Sequence, residues 1–242
     1  MHHALIGLGS NLGDRAATLD RAAAALAAEP EIAVVSRSGW HETAPVGGPL
    51  GQGAFLNGTV VVETTLEPES LLDRLQQIET RLGRQRGERW AARTLDLDLL
   101  LYDDRIVDSP RLTVPHPRMA FRRFVLAPAA EVAGTWRHPR LGWKIDELLA
   151  HVRTAKSRVA LVGPSELCRR VAEAVAGSYG RVAGSPVEFV TAAAGRPDLL
   201  VTINTAWPGS SGRAPCPVLQ LKGDNLSALR DEIVAAVAAM QG

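Results

Sequence analysis

The sequence predicts an α+β fold, a ferredoxin-like sandwich, followed by a smaller α/β domain. Strand and helix patterns alternate as β-α-β-β-α-β up to Tyr102, which is the order of a ferredoxin-like domain. The pattern changes from about Ser157, where short apolar strands alternate with apolar helices. A chain of 242 residues is long enough for two hydrophobic cores. We therefore predict domains over 1–156 and 157–242, with the boundary between about His151 and Ser157.

The first half of the predicted sandwich begins with a short apolar strand, His3 to Leu8, that ends in G-L-G-S-N-L-G-D. The Ala-rich segment from Asp14 to Ala28 carries leucines at helical spacing and predicts a helix. Alternation predicts a second strand over Ile32 to Trp40 and a third over Phe55 to Thr64, which we expect to pair. Four glycines and two prolines in residues 41–53 predict a long loop between them.

The second helix and the strand after it complete the predicted sandwich. Apolar side chains recur at helical spacing from Leu71 to Leu82, with Pro68 in the first turn and Gly83 as the stop. A basic loop follows, and D-L-D-L-L-L-Y, beginning at Asp96, predicts the fourth strand. We expect both helices on one face of the sheet.

The second domain is predicted to be a small α/β unit with a parallel sheet. It begins with a strand, a turn and a helix, predicted from R-V-A-L-V-G-P-S-E-L-C-R-R-V. Three more strands are predicted from P-V-E-F-V, D-L-L-V-T-I and P-V-L-Q-L. A last helix is predicted from Leu226 to Met240. The G-P-S-E turn could bind an anion or be a plain helix cap through Ser165. Because its helices are more apolar than ligand binding requires, we expect the unit to serve self-association or partner docking.

Composition narrows the possible function. With 27 Lys and Arg against 26 Asp and Glu, the chain is close to neutral, which argues against nucleic acid or an anionic membrane as partners. No apolar stretch approaches the roughly 20 residues of a membrane span, and the start has no secretory signal pattern, so we expect a cytoplasmic protein. The two cysteines, Cys168 and Cys216, are expected to be free thiols.

Two carboxylates, Asp96 and Asp98, mark the candidate site. Side chains two apart on a strand point to one face, so these acids stand side by side while Leu95, Leu97 and Leu99 point the other way. Like charges this close repel each other unless a cation lies between them. Mg²⁺ prefers one or two carboxylates together with the oxygens of a substrate phosphate.

Arginines surround this acid pair in the sequence: Arg84, Arg86, Arg89, Arg93, Arg111, Arg118, Arg122 and Arg123. A basic run is often only a solvated loop. Beside paired carboxylates, however, guanidinium groups can grip phosphates, and the combination predicts a phosphoryl-transfer site. Neither a P-loop motif nor a dinucleotide fingerprint is present in the sequence, so ATP would be bound without a P-loop.

Seven ordered motifs carry a family resemblance: G-L-G-S-N-L-G-D (7–14), E-T-A-P-V-G (42–47), Q-G-A-F-L-N (52–57), I-E-T-R-L-G-R-Q-R (78–86), R-W-A-A-R-T-L-D-L-D-L-L-L-Y (89–102), L-T-V-P-H-P-R-M (112–119) and R-x-F-V-L-x-P (122–128). This series resembles the 6-hydroxymethyl-7,8-dihydropterin pyrophosphokinases of folate biosynthesis over about residues 1–150. The resemblance implies transfer of diphosphate from ATP to the hydroxymethyl group of the pterin, with release of AMP.

The resemblance also implies ligands and roles for particular residues. Asp96 and Asp98 would hold two Mg²⁺ ions, and Arg84, Arg86 and Arg93 would act with them in catalysis, the first two on a mobile loop. The implied ATP-binding residues are Gln76, Glu79, Arg86, Arg89, Trp90, Arg93, Arg111, Thr113, His116 and Arg122. Taken without the resemblance, a histidine between prolines, as in V-P-H-P-R, is more often a rigid turn residue than a catalyst.

The pterin side follows from the same resemblance. Phe55 and Phe124 would stack on the ring, and Asn57 would read its edge, with help from Thr43 and the backbone near Val46. Asp96 is also expected to face this substrate. Without the resemblance, plain core packing would explain the two phenylalanines. The competing hypothesis for the whole protein is a non-catalytic, regulatory nucleotide- or pterin-binding protein, but retention of both acids and of the loop arginines favours an enzyme.

Overall fold

The fold is built on two larger β-sheets, with helices packed against each of them and between them. It is described from a computed structural model for residues 1–46, 51–84, 93–179, 187–190, 197–205 and 215–241. Residues 47–50 of the predicted loop and 85–92 of the predicted basic loop lie outside these described ranges.

The first sheet is antiparallel in every neighbouring pair. Its strands and the two helices between them are β1 (His2–Ser10), α1 (Arg15–Ala27), β2 (Ile32–Arg37), β3 (His41–Thr43), β4 (Phe55–Thr64), α2 (Pro68–Arg81) and β5 (Asp96–Tyr102). The strand order is β2-β4-β1-β5, with β3 paired to β4. The predicted third strand has the bounds expected from the sequence, and the second is shorter than expected.

One prediction in this half is wrong. Residues 41–53 were expected to form a loop throughout, but His41–Thr43 forms β3 and pairs with Phe55–Asn57 of β4. Three residues followed by Ala44 and Pro45 are too short for alternation to reveal a strand, and pairing with β4 supplies the hydrogen bonds that stabilise it.

Both helices of this half pack on one face of the sheet. The Asp14 side chain accepts a hydrogen bond of 3.0 Å from the Ala17 N–H and so caps α1. Gly83 ends the last turn of α2 with a positive φ of 88°, a conformation that costs glycine little. The apolar faces of α1 and α2 pack against side chains of β1, β4 and β5 in one buried cluster. The opposite sheet face is therefore left for other elements.

Those other elements follow β5. They are the short hairpin β6 (Val107–Asp108) and β7 (Thr113–Val114), a 3₁₀ turn (Met119–Phe121), and the helices α3 (Arg123–Ala133) and α4 (Ile145–Thr154). The sequence patterns predicted neither α3 nor α4. Pro128 lies inside α3 and interrupts the usual helical signal. Helix α3 packs on β4 and on α4, and covers the second face of the first sheet beside the site.

The second sheet is parallel in its described pairs, with strand order β11-β10-β8-β9. Its elements are β8 (Arg158–Val162), α5 (Ser165–Tyr179), β9 (Glu188–Phe189), β10 (Leu199–Ile203), β11 (Val218–Leu221) and α6 (Leu226–Gln241). Both cysteines are free. No helix in the described part of the chain has the length and apolar character needed to cross a membrane.

The two halves share a continuous hydrophobic core. One cluster contains Leu5 and Val61 of the first sheet, side chains of α3 and α4, and Val159, Val201 and Ile233 of the second unit. Helix α6 contacts α3, α4, α5 and the 3₁₀ turn. The apolar surface of α6, from which the sequence suggested self-association, is therefore largely covered by the chain itself.

Candidate active site

A cavity of about 260 Å³ opens over the face of the first sheet opposite α1 and α2. Gly7 and Gly9 of β1 form part of its floor. A Cβ atom on Gly9 would lie 3.2 Å from Asn57 Oδ1, and one on Gly7 would lie 3.3 Å from Leu100 Cδ1. The G-L-G motif thus leaves room for the side chains that project from the neighbouring strands β4 and β5.

The paired acids face this cavity as predicted. Asp96 and Asp98 line it, whereas Leu97 and Leu99 are buried on the other face with the helices. Asp96 is held by two guanidinium groups: Arg84 Nη1 lies 2.7 Å from Oδ1, and Arg93 Nη1 lies 2.5 Å from Oδ2. The side chain of Asp98 is more open, at 41% exposure.

Charge and burial oppose each other at Asp96. Burial, and after it the charge of Asp98, raise its pKa, while Arg93 and Arg84 lower it. The ionised form of this carboxylate therefore depends on nearby cations, which are arginines here and would be metal ions in a loaded site.

Glu79 forms the inner part of the same network. Only 4% of it is exposed. Its carboxylate accepts a 2.7 Å hydrogen bond from the Leu97 N–H and also contacts the Arg84 guanidinium. Burial raises the pKa of Glu79 to about 7, against the opposing effects of the Leu97 N–H and Arg84. Its observed contacts are to the strand and the arginine that support Asp96.

His116, Arg118 and Arg122 form the wall next to the acids. The Arg118 N–H donates to His116 Nδ1 at 3.2 Å, and His116 Nε2 lies 4.0 Å from Asp98 Oδ2. Burial, followed by the charges of Arg122 and Arg118, lowers the pKa of His116 to about 3. The imidazole is therefore neutral at pH 7, and because Nδ1 accepts, its proton is on Nε2.

Arg122 is a half-buried cation of this wall. Burial lowers its pKa to about 10, opposed by Asp98 and Asp96, so it keeps its charge at neutral pH. Its guanidinium lies over the Phe124 ring, 5.5 Å from the ring centroid. This stacking joins the arginine wall to the predicted aromatic position.

The other end of the cavity is polar and aromatic. Thr43, Val46, Phe55, Asn57 and Phe124 all line it. Asn57 Nδ2 donates to Thr43 Oγ1 at 2.8 Å, and strand β3, which the sequence analysis missed, brings Thr43 opposite Phe55 in register with β4. These five residues and Asp96, which are the six predicted for the pterin, therefore line one cavity.

Of the predicted ATP residues that the structure describes, Gln76, Glu79, Arg111 and Thr113 are not among the side chains that line the cavity. Arg111 forms an exposed ion pair with Asp73 of α2, and Gln76 and Thr113 are half-buried outside the cavity wall. Arg86, Arg89 and Trp90 fall within 85–92, outside the described residues.

Several lining residues were missed by the sequence analysis. Thr59 lines the cavity, is 1% exposed, and its hydroxyl has no hydrogen-bond partner among the described residues. Alternation along β4 from Asn57 could have found it. Glu232 and three alanines of α6 also line the cavity, and no local signal in the sequence could have connected them with residues more than 100 positions away.

Comparison with known proteins matches the N-terminal part of the chain to one family. The family model described as 7,8-dihydro-6-hydroxymethylpterin-pyrophosphokinase (HPPK) matches residues 5–134. The chain is similar to two proteins named 2-amino-4-hydroxy-6-hydroxymethyldihydropteridine pyrophosphokinase. It is 44% identical to the one from Synechocystis sp. over 151 residues, covering 62% of this chain and 76% of that protein. It is 48% identical to the one from Bacillus subtilis over 129 residues, covering 53% and 77%.

Among solved structures, the fold is similar to wild-type Plasmodium falciparum HPPK-DHPS crystallised with pteroate. The TM-score is 0.50 at 12% sequence identity, and the match covers 88% of this chain and 59% of that one. The chain thus spans about three fifths of that structure, and at this identity the similarity concerns the fold alone.

Proposed function

This chain belongs to the 7,8-dihydro-6-hydroxymethylpterin-pyrophosphokinase family, and from that premise we propose how its residues perform the reaction. The enzyme transfers diphosphate from ATP to the hydroxymethyl group of 6-hydroxymethyl-7,8-dihydropterin, a step of folate biosynthesis, and releases AMP. The observation that carries the assignment is that one cavity is lined both by the Asp96 and Asp98 pair and by Phe55, Asn57 and Phe124.

The pterin is proposed to bind at the end formed by β3 and β4. A flat, hydrogen-bonding ring needs aromatic faces and a polar edge, and Phe55 and Phe124 supply the aromatic faces in the proposed pose. The Asn57 amide has its Nδ2 engaged with Thr43 Oγ1, which fixes the orientation of the amide. Its Oδ1 and second N–H are then set to meet a donor and an acceptor on the ring edge. The backbone near Val46 and the Asp96 carboxylate would complete the contacts.

Asp96 and Asp98 are proposed to hold two Mg²⁺ ions. The donor set fits: both carboxylates face the cavity, and Mg²⁺ is commonly held by one or two carboxylates with substrate phosphate oxygens as further ligands. The further ligands of each ion would be phosphate oxygens and water molecules. Bound Mg²⁺ would neutralise the phosphates and acidify the attacking hydroxyl.

The arginines and His116 are proposed to hold the phosphate chain. Arg84 and Arg93 now pair with Asp96, and we expect them to turn towards phosphate oxygens when ATP binds. Arg122 remains charged and can contact the same group. His116 can donate its Nε2 proton to a phosphate oxygen, whereas a pKa of about 3 makes it a poor general base at neutral pH.

The other residues assigned to ATP remain proposals that the loaded enzyme must test: Gln76, Glu79, Arg86, Arg89, Trp90, Arg111 and Thr113. Arg86 is also proposed to act in catalysis, together with Arg84 and Arg93. Glu79 would serve this site through Arg84 and the Leu97 N–H, which are the groups it contacts.

Three broader proposals accompany the reaction. We class 1–156 as a ferredoxin-like domain, because its four long strands take the order β2-β4-β1-β5, and treat 157–242 as an appended α/β domain. The two free thiols suit a reducing compartment, and we propose the cytoplasm. Self-association through 157–242 remains a proposal, which the mass of the full chain in solution tests.

The reaction is tested by incubating the full chain with ATP, Mg²⁺ and the reduced hydroxymethyl pterin. We expect AMP and the pterin diphosphate in equal amounts, because the bond broken lies between the α- and β-phosphates. Formation of ADP, or binding of both ligands without any cleavage, would contradict the assignment, and the second result would support a regulatory binding protein.

A further inference from the structure

Helix α6, outside the family-matched residues 5–134, forms part of the wall of the catalytic cavity. Four of its residues line the cavity: Glu232, Ala235, Ala236 and Ala239. Their spacing of i, i+3, i+4 and i+7 places them on one helix face. Three of the four are alanines, so this face closes the cavity without filling it.

Glu232 connects this wall to the arginine cluster. Arg118 Nη2 lies 3.0 Å from one carboxylate oxygen of Glu232 and 2.9 Å from the other. The Glu232 side chain is 10% exposed and that of Arg118 is 30% exposed. A partly buried ion pair is screened by salt and water less than an exposed one.

Arg118 in turn touches groups assigned to the phosphates. Its backbone N–H donates to His116 Nδ1 and so fixes the tautomer of that ring. Its charge acts on both His116 and Arg122, and Glu232 also acts on Arg122. A shift of the Arg118 guanidinium would therefore change the electrostatics at His116 and Arg122, in the wall that faces Asp98.

A second contact joins the same segment to the end of α6. Arg123 Nη1 donates to the backbone carbonyl of Gln241 at 3.3 Å. Residues 118–123 are thus attached to the last helix at Glu232 and again at Gln241. Helix α6 also packs on the 3₁₀ turn between these two attachments.

We propose that Glu232 is a positioning residue for the diphosphate transfer, acting through Arg118, and that α6 supplies a wall of the substrate cavity. This inference rests on the proposed function, since the reaction supplies its readout. It gives residues 157–242 a role within the active site of their own chain. The second unit then contributes to catalysis by positioning Arg118 and by closing the substrate cavity.

The first test compares Glu232→Gln with Asp231→Asn in the full chain. Both remove one carboxylate charge from α6, but Asp231 pairs with Arg230. We expect Glu232→Gln to lower kcat/KM for ATP by roughly tenfold to a hundredfold, the scale of a small misplacement of catalytic groups. The pterin KM should stay within about twofold. Asp231→Asn should match the wild type in both parameters.

A double-mutant cycle separates positioning from a general effect on folding. If Glu232 acts through Arg118, Glu232→Gln should cause no further loss of kcat in an Arg118→Gln background. Fully additive losses would overturn the positioning role. Equal kinetics for Glu232→Gln and Asp231→Asn would overturn it as well.

The second test addresses the wall and does not depend on the ion pair. Ala235→Leu places three more carbons at the cavity surface, whereas Ala238→Leu makes the same change at a half-buried position of α6 that does not line the cavity. We expect Ala235→Leu to weaken the binding of ATP or of the pterin by about tenfold. The free energy that corresponds to this loss is typical of overpacking. Equal substrate affinities in the two variants would contradict the proposal that α6 forms a wall of the substrate cavity.

Binding measurements keep this inference distinct from the reaction itself. If the wild type forms AMP and the Glu232 and Ala235 variants match their controls, the inference fails and the proposed function stands. If the wild type forms no AMP, the proposed function fails. Calorimetric binding measurements then decide the inference: weaker Mg²⁺-ATP binding by Glu232→Gln and weaker binding of either substrate by Ala235→Leu support it, and unchanged binding in both variants contradicts it.

Discussion

The Arg84 guanidinium lies 2.7 Å from the Asp96 carboxylate. The same guanidinium contacts the buried Glu79 carboxylate. One cation therefore opposes the effect of burial, which raises the pKa of both acids, and it joins the interior of the sheet to the cavity. An arginine in this position can turn towards phosphate only if other charges replace it at Asp96.

The first prediction concerns the pH dependence of stability at Glu79. Its folded-state pKa is raised to about 7 from a reference of 4.5, so its protonated form favours the fold. This contribution is fully present below about pH 4.5 and is lost as pH rises through about 7. We expect the melting temperature of the wild type to fall more between pH 5 and pH 8 than that of Glu79→Gln.

The exposed acid Glu69 provides the control for this measurement. Glu69→Gln should keep the wild-type pH dependence, because the change removes an acid at the surface. If the melting temperatures of the wild type and Glu79→Gln changed by the same amount between pH 5 and pH 8, the raised pKa of Glu79 would be contradicted.

The second prediction concerns recognition of the pterin by Asn57. Asn57→Ala removes the amide that is oriented by the 2.8 Å hydrogen bond to Thr43, so we expect the pterin KM to rise by roughly tenfold to a hundredfold. Thr43→Val removes only the orienting hydroxyl and should raise the same KM less. Fluorescence titration with the pterin would measure both effects, and an unchanged pterin affinity in Asn57→Ala would place the ring elsewhere.

The third prediction uses the close packing at Gly9. Because a Cβ there would lie 3.2 Å from Asn57 Oδ1, Gly9→Ala should displace the amide and raise the pterin KM by about threefold to tenfold. Gly39→Ala is the matched control, since its Cβ would make an ordinary 3.6 Å contact with Glu131. Similar pterin KM values for the two variants would argue against this role of the G-L-G motif.

The fourth prediction concerns the shared core. Because Leu5 and Ile233 belong to one buried cluster, we expect the full chain to unfold in a single calorimetric transition. Ile233→Ala should destabilise that transition by about 2–5 kcal/mol, whereas Val35→Ala, at a 56% exposed position, should have little effect. Two separate transitions, with only one shifted by Ile233→Ala, would mean that the two units unfold independently.

Much of the fold and the site was predictable because it depends on local periodicity. Strand alternation alone places Asp96 and Asp98 on one face with Leu97 on the other, and helical spacing with Gly83 defines α2. Helix α3 was hidden by Pro128, and β3 is stabilised by its pairing with β4 rather than by its own three residues. A local pattern carries no information about such partners.

The contact of α6 with the active site was the feature least predictable from the sequence. Glu232 meets Arg118 across 114 positions of the chain, and neither residue has a neighbour in sequence that indicates the pairing. The family resemblance ends before α6 begins, so motifs could not supply the contact either. Only the packing of α6 against the 3₁₀ turn and α3 brings the two side chains together.

The most direct test of the account is the rate of AMP release by Asp98→Asn. Asp98 lines the cavity, whereas Asp104, in the turn after the same strand, is exposed and serves as the control through Asp104→Asn. With ATP, Mg²⁺ and the pterin, we expect Asp98→Asn to lose roughly a thousandfold in kcat, because a metal ligand is removed, while melting temperatures stay close. A wild-type rate of AMP release in folded Asp98→Asn would contradict the central claim that this acid pair forms the phosphoryl-transfer site.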